Sequence, residues 1–173
     1  MTKTEQKRIF RRLIKYLIVL ILSFYAFYRI ETNHVVIDGD TLIVGREKIR
    51  FNNIDAPEIS QTCICNKKEV KCGLKAKDAL FDFIGSRKVF CSSEDRDVYG
   101  RLIGECHINS DGKKTSLNSL MVRNGMAVVI SKNDENLLLE ESEAIRQKTG
   151  FWGCEKFEIP ADFRKKHHPD FNF

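Results

Sequence analysis

Four carboxylates bracket a short segment whose pattern is typical of a β-hairpin. Apolar residues alternate with polar ones on either side of a Gly45-Arg46 turn, as expected for two short antiparallel strands within residues 36–58. Two carboxylates lie just before the first strand and two just after the second; they are Asp38, Asp40, Asp55 and Glu58. Because the open ends of an antiparallel hairpin lie side by side, we expect all four carboxylates to converge.

Carboxylates gathered in this way repel one another unless a cation lies among them. At an effective dielectric constant of about 20, two carboxylates about 4 Å apart repel by roughly 4 kcal/mol. Oxygen ligands favour hard cations, and residues 36–58 contain no His or Cys. The segment therefore predicts a site for Ca²⁺ or Mg²⁺ rather than for Zn²⁺.

A divalent cation at this place suits the hydrolysis of phosphate esters. A metal ion held by Asp40 and Asp55 polarises a phosphoryl oxygen and can hold a water molecule. Glu58 is three residues beyond Asp55, where a general base would lie near the metal without binding it. Arg50 and Arg101 can donate paired hydrogen bonds to a phosphate and stabilise the charge of the transition state. Taken alone, either arginine is equally well explained as a surface ion-pair partner.

Short strands and three helices are the elements that would position these side chains. We predict one helix over 73–85, one that begins after Ser116 and ends at Asn124-Gly125, and one from Asp134 to Lys148. The strands predicted after the hairpin are 88–91, 101–108 and 127–130, and the last of these is counted as the fifth strand. Residues 60–71 are predicted to form a polar, cysteine-bearing loop.

The first 33 residues differ in composition from the rest of the chain. A basic stretch precedes an uncharged, mostly apolar and aromatic run over 16–28, and no small-residue cleavage signal follows it. We therefore predict an uncleaved signal anchor, a transmembrane helix that leaves the N-terminus in the cytoplasm and exports the domain to a periplasmic or extracellular space. A cleaved secretory signal and a buried core helix are the alternatives.

Charge is distributed unevenly between this leader and the remainder. Residues 1–30 hold seven of the 29 Lys and Arg residues but only one of the 24 Asp and Glu residues. The rest of the chain therefore carries 22 basic and 23 acidic residues and is nearly neutral. Any grip on a polyanion must come from local groups of cations.

Cysteine usage agrees with an exported domain. All six cysteines lie outside the leader, an even number that fits disulfides in an oxidising compartment. We expect Cys63 to pair with Cys72 and Cys91 with Cys106, and we leave Cys65 and Cys154 unassigned. The alternative is a zinc site at Cys63, Cys65 and Cys72, which the absence of a Cys-x₂-Cys pair disfavours.

Three motifs in order resemble the staphylococcal nuclease (thermonuclease) family. They are Asp-Gly-Asp-Thr at 38–41, Arg50 with Asn-Ile-Asp-Ala-Pro-Glu at 53–58, and Asp-x-Tyr-Gly-Arg at 97–101. The resemblance covers residues 34–160. It implies an α+β fold in which a five-stranded OB-type barrel carries three helices, preceded here by the hydrophobic N-terminal helix and followed by a tail over 161–173.

The resemblance also implies a Ca²⁺-dependent site that cleaves DNA and RNA. The groups that match the calcium ligands are the carboxylates of Asp40 and Asp55 and the backbone carbonyl of Ala56. The residues that match the catalytic groups are Glu58 as the base and Arg50 and Arg101 as the arginines. The positions that surround the metal or contact the substrate are Asp38, Thr41, Asp97 and Tyr99.

Three departures from the family pattern bear on nucleotide binding rather than on hydrolysis. Ala56 replaces a threonine, which is tolerated because the backbone oxygen is the ligand. Val98 stands where the family has a lysine beside Tyr99, and no tyrosine occurs in 128–132, where the best-known member has tyrosines that flank the base. We expect these changes to alter nucleotide affinity and base preference.

The function expected is therefore that of an exported, membrane-anchored, monomeric nuclease that cleaves with little sequence preference and leaves 3′-phosphates. Every site residue addresses phosphate rather than base edges. The alternatives are a non-catalytic nucleic-acid-binding OB module and a structural envelope protein. Because the chain keeps every carboxylate and arginine of the pattern, the enzyme is favoured over both.

Overall fold

A computed structural model of the chain describes residues 10–23, 34–110 and 112–167. The chain divides into two units, residues 1–33 and residues 34–173. Residues 7–9 of the predicted basic stretch, residues 24–28 of the apolar run and the last six residues lie outside the described residues. Within the described part, no helix combines the length and apolar character needed to cross a membrane.

Ten strands and five helices make up the described chain. The strands are β1 (His34–Val36), β2 (Thr41–Val44), β3 (Glu47–Phe51), β4 (Ile54–Asp55), β5 (Thr62–Cys65), β6 (Lys68–Lys71), β7 (Val89–Arg96), β8 (Leu102–Ser110), β9 (Lys113–Ser116) and β10 (Val128–Val129). The helices are α1 (10–23), α2 (Cys72–Ile84), α3 (Leu117–Arg123), α4 (Glu135–Arg146) and α5 (Pro160–His167), with a 3-10 turn at Gly150–Gly153.

The predicted hairpin is confirmed and lies within a six-stranded sheet. Strands β2 and β3 are antiparallel and pair Thr41 with Arg50, and the turn between them has Gly45 at a φ of +63°. The sheet runs in the order β1-β2-β3-β8-β7, with β9 on the other part of the long strand β8. Strands β3 and β8 are parallel, and this pairing brings the start of β8 beside Arg50.

The predicted mixed α+β fold is confirmed, but among the described residues the strands do not close into the five-stranded OB-type barrel that we expected. The end strands β1 and β7 do not pair with each other, and the two-residue strands β4 and β10 form a separate ladder. The predicted loop over 60–71 is wrong, since β5 and β6 form a hairpin there, and the described part of the domain has four helices, α2 to α5, where three were expected. Strand β10 lies within the strand predicted over 127–130, whereas β4 was not predicted as a separate strand because two residues leave no periodic pattern in the sequence.

The helix ends follow the sequence signals. Ser116 accepts a hydrogen bond from the backbone N–H of Ser119 at the start of α3, and Asp134 accepts one from the N–H of Leu137 at the start of α4. Both are the N-caps that the sequence predicted. Between the sheet and these helices lies one apolar core, whose most buried large side chains are Leu42, Phe51, Ile54, Leu80, Ile84, Leu117 and Met121.

Three disulfides link all six cysteines. The predicted pairs Cys63–Cys72 and Cys91–Cys106 are confirmed, and the unassigned pair is Cys65–Cys154. Cys91 and Cys106 lie directly opposite each other on β7 and β8. The zinc alternative is wrong because each of its three candidate ligands is used in a disulfide.

Residues 161–167, the described part of the tail that we expected over 161–173, belong to helix α5. Lys156 pairs with Ile64 of β5 through two backbone hydrogen bonds of 2.9 and 3.2 Å, next to the Cys65–Cys154 disulfide. The chain then enters α5 at the buried Pro160. Segment 154–167 is thus fastened to the rest of the domain.

Removing the Cys65–Cys154 disulfide should cost about 4 kcal/mol of unfolding free energy. The bond closes a loop between cysteines 89 positions apart, and a loop of that length strongly restricts the unfolded chain. Chemical denaturation of the Cys65→Ala, Cys154→Ala double variant and of the wild type measures the difference. In excess reductant the difference should vanish; a difference that persists there would contradict this origin.

Candidate active site

Two buried carboxylates form the floor of the site. Asp40 is 3% exposed and Asp55 is 1% exposed, and both bind the guanidinium of Arg50 on the neighbouring strand β3. The Nη1 atom of Arg50 donates to Oδ1 of Asp40 at 2.9 Å, and its Nη2 atom donates to Oδ1 of Asp55 at 2.7 Å. Arg50 thus joins the two ends of the hairpin, as the pairing of β2 with β3 requires.

Hydrogen-bond donors from neighbouring residues surround the carboxylate of Asp40. Its side chain also accepts hydrogen bonds from the Thr41 hydroxyl and from the Ala56 N–H, both at 3.0 Å. Asp38 accepts the N–H of Asp40 at 3.0 Å and so caps the turn. Gly39 allows this packing, since a Cβ atom there would lie 2.7 Å from that of Ala56. Burial raises the pKa of Asp40 to about 7, despite the opposing effect of Arg50.

A second guanidinium, which the sequence did not predict, joins Asp55 to Glu58. Arg164 of α5 donates through Nη1 to Oδ1 of Asp55 at 3.0 Å and to Oε1 of Glu58 at 2.8 Å, and through Nη2 to Oδ2 of Asp55 at 2.8 Å. Burial opposes the charged form, but these hydrogen bonds raise the pKa of Arg164 above its usual value. No pattern marks this residue, since it lies 106 positions beyond Glu58.

Arg101 lies at the end of the turn before β8 and lines the same cavity as Asp40. Its Nε atom donates to Oδ2 of Asp97 at 2.6 Å, and its guanidinium lies 5.5 Å from the ring centre of Tyr99. Oδ1 of Asp97 accepts the backbone N–H groups of Tyr99 and Arg101, each at 2.9 Å. Asp97 therefore fixes both the turn and the direction of Arg101.

These groups line one cavity of about 860 Å³. Nearly all the predicted site residues lie on its wall: Asp38, Asp40, Arg50, Ala56, Glu58, Asp97, Tyr99 and Arg101. Thr41 lies just beneath it, hydrogen-bonded to Asp40, and Asp55 lies beneath it between the two arginines. The structure therefore brings the predicted residues together and adds Arg164.

The predicted gathering of four carboxylates around one cation is not what the structure has. Among the residues it describes, no three His, Cys, Asp or Glu side chains are grouped to hold a metal ion. Asp38 turns to the backbone instead, and the positive charges of Arg50 and Arg164 lie between the other three carboxylates. Arginine side chains thus offset part of the repulsion that we assigned to a metal alone.

The remaining oxygen donors are nonetheless compatible with a divalent cation. A carboxylate can accept about four hydrogen bonds, and Asp40 and Asp55 each accept three from described residues. Each has room for about one more ligand. Together with the backbone carbonyl of Ala56, they form an all-oxygen donor set that suits Ca²⁺ and Mg²⁺.

The chain matches a protein-family model and several characterised or named proteins. The model described as "Staphylococcal nuclease homologue" matches residues 48–154. Micrococcal nuclease of Shigella flexneri is 28% identical over 162 residues, which cover 86% of this chain and 88% of that protein. An uncharacterized endonuclease of Escherichia coli O157:H7 is 33% identical over 123 residues, covering 68% and 72%.

A third relative is similar over a shorter part of its own length. Succinoglycan biosynthesis protein ExoI of Rhizobium meliloti (strain 1021) is 32% identical over 120 residues, which cover 68% of this chain. The aligned part spans 61% of that protein.

Asp97 should stabilise the fold at neutral pH and lose this effect in acid. Despite slight burial, the hydrogen bonds from Arg101 and Tyr99 lower the pKa of Asp97 below its value of about 3.9 in an unfolded chain. Its contribution is therefore complete above about pH 5 and is lost as pH falls through the folded pKa. Asp97→Asn should unfold more easily than the wild type at pH 7 in denaturant titrations, and the gap should narrow by pH 3. A difference in unfolding free energy that is the same at pH 7 and at pH 3 would contradict a stabilising role of the ionised Asp97.

Proposed function

The chain belongs to the staphylococcal nuclease family, and we propose that it is a Ca²⁺-dependent endonuclease that hydrolyses the phosphodiester bonds of DNA and RNA. The observation that carries this proposal is the shared cavity: Arg50, Arg101, the partly exposed Glu58 and the buried Asp40 line one space, and Asp55 lies beneath it, bound to Arg50 and Arg164. That combination provides phosphate binding, a proton acceptor and a hard-cation site together.

In the proposed reaction, the two arginines hold the scissile phosphate. Arg50 and Arg101 donate hydrogen bonds to its non-bridging oxygens and stabilise the negative charge that grows in the transition state. Glu58 accepts a proton from the attacking water. A calcium ion held by Asp40, Asp55 and the carbonyl of Ala56 would supply Lewis-acid polarisation of the phosphate.

Local cations supply the attraction for a polyanion that the nearly neutral domain lacks. Five basic side chains line the cavity: Lys48, Arg50, Arg96, Arg101 and Arg164. The attraction of these charges for phosphate does not distinguish one base from another, so we propose cleavage with little sequence preference. Tyr99, 56% exposed on the cavity wall, can pack against the sugar or the base.

Product, assembly and location stay predictions that rest on the sequence. By resemblance to the family we propose that cleavage leaves 3′-phosphates and that the protein is monomeric. We also propose that the N-terminal segment anchors the protein in a membrane, with secretion after signal cleavage as the alternative. Three disulfides support an oxidising compartment for the domain.

Turnover should require calcium. Plasmid DNA and RNA should be digested in millimolar Ca²⁺, and digestion should stop in excess EGTA and return when calcium is restored, because the all-oxygen site prefers a large, flexibly coordinated cation. The measurement is the initial rate on each substrate. Full activity in the chelator would contradict a metal-dependent mechanism.

Glu58→Gln and Arg101→Lys should both reduce kcat strongly and KM little. The first keeps the shape of the side chain but removes the base, a loss of roughly 10²–10⁴-fold. The second keeps the charge but loses the planar fork that binds a phosphate. Steady-state kinetics on single-stranded DNA measure both.

Glu143→Gln is the matched control for these variants, because it makes the same chemical change in an exposed ion pair with Arg146. Its kcat should equal that of the wild type. If Glu58→Gln behaved like this control, Glu58 would not be the base, and the non-catalytic binding module would be favoured.

A further inference from the structure

Arg164 connects the proposed base to the proposed metal ligand. Its Nη1 atom lies within hydrogen-bond distance of both Glu58, at 2.8 Å, and Asp55, at 3.0 Å, while its Nη2 atom binds the second oxygen of Asp55 at 2.8 Å. Asp55 is 1% exposed and rigidly held, whereas the side chain of Glu58 is 39% exposed. The guanidinium thus holds the partly exposed carboxylate of Glu58 next to the buried carboxylate of Asp55.

We propose that Arg164 is a positioning residue that holds the Glu58 carboxylate beside Asp55 for proton transfer. This inference rests on the proposed function and deepens it. Arg164 binds Oε1 of Glu58, so we assign Oε2 as the oxygen that accepts the proton from water. The planar fork of an arginine can hold two carboxylates at once, which an ammonium group cannot do with the same geometry.

Buried hydrogen bonds connect the segment that carries Arg164 to the backbone of the site. Gln61, which is 0% exposed, donates through Nε2 to the backbone carbonyl of Glu158 at 2.6 Å. Its Oε1 atom accepts the N–H of Glu58 at 3.2 Å, and its own N–H binds the carbonyl of Glu58 at 2.8 Å. One buried amide therefore fixes the backbone of Glu58 relative to the segment that leads into α5.

Two further connections hold the same segment. The Cys65–Cys154 disulfide and the backbone hydrogen bonds between Ile64 and Lys156 fasten it to β5. Pro160 is buried, and the carbonyl of Ile159 accepts two N–H groups of the first turn of α5. This anchoring favours a fixed positioning role for Arg164 over a mobile lid.

Two other roles are compatible with an arginine at this place. Arg164 could bind the substrate phosphate directly, or it could occupy the cation position and compete with calcium. Two of the three hydrogen bonds of its guanidinium to described residues run to Asp55, as a competitor of the cation would also have them, but the third runs to Glu58, and this contact favours a role exerted through the base. The three roles predict different changes in kcat when Arg164 is substituted in the presence and in the absence of the Glu58 carboxylate.

A double-variant cycle in kcat separates these roles. Arg164→Gln should lower kcat by about 10–100-fold, as the loss of a supporting contact to a catalytic group does. In the Glu58→Gln background the same change should alter kcat by less than about twofold, since no base is left to position. KM should change little, and Arg164→Lys should not restore the rate.

Lys165→Gln is the matched control, because it removes the same charge from the same helix at an exposed position. Its kcat should equal that of the wild type. A reduced rate in this variant would mean that the net charge of α5, and not the fork of Arg164, is responsible, and would overturn the proposal.

A second readout does not depend on activity. In excess chelator, Arg164→Gln should lower the melting temperature more when it is made in the wild type than when it is made in Glu58→Gln. The reason is that the contact between Arg164 and residue 58 is already weakened in Glu58→Gln. Equal shifts in both backgrounds would overturn the proposed contact. If the wild type cleaved no nucleic acid at all, the proposed function would fail, and this cycle alone would decide whether Arg164 holds Glu58.

The remaining kinetic outcomes also overturn the proposal, each in its own way. An equal loss of kcat in both backgrounds would make Arg164 a direct phosphate contact. A higher kcat together with tighter calcium binding by Arg164→Gln, measured by calorimetry, would make it a competitor of the cation. An unchanged kcat would leave Arg164 with a structural role only.

Discussion

The guanidinium of Arg50, held between the buried carboxylates of Asp40 and Asp55, is the interaction on which the site depends. Buried carboxylates are costly unless they are paired, and removing one partner of such a pair typically costs about 3–5 kcal/mol. The register that pairs Thr41 with Arg50 and the hydrogen bond from the Phe51 N–H to the carbonyl of Asp40 set this geometry. The hairpin is thus a structural element and the floor of the site at once.

The charge balance of the cluster is compatible with the divalent cation that we propose beside the two arginines. The guanidiniums of Arg50 and Arg164 pair with three carboxylates, and a fourth, Asp38, lies next to Asp40, so the fully ionised cluster has a formal charge of −2, which a divalent cation would neutralise. The four carboxylates are Asp38, Asp40, Asp55 and Glu58. The arginines therefore reduce the repulsion without removing the attraction for a metal ion.

Features that depend on neighbouring residues were predictable from the sequence. The hairpin follows from alternation around Gly45, the helix starts follow from Ser116 and Asp134, and the Cys91–Cys106 bond follows from two adjacent predicted strands. The motif residues of the cavity were found because their spacing along the chain is short, and because that spacing resembles a known family.

Features that depend on distant parts of the chain were not predictable. The open sheet, the Cys65–Cys154 bond and the ion pairs of Arg164 each join segments separated by many residues, and no local pattern encodes such pairings. Gln61 illustrates the same limit: it reads as an ordinary polar loop residue, yet it is fully buried because it satisfies two backbone groups from different segments.

Location of the cation tests the central claim most directly. Crystals of the protein soaked in Mn²⁺, an anomalous scatterer that takes oxygen ligands, reveal the ion in an anomalous difference map. The account predicts one peak at bonding distance, about 2.2 Å, from oxygens of both Asp40 and Asp55, with the carbonyl of Ala56 as a third ligand. A peak bound elsewhere, or none at this cluster at a saturating concentration of Mn²⁺, would contradict it.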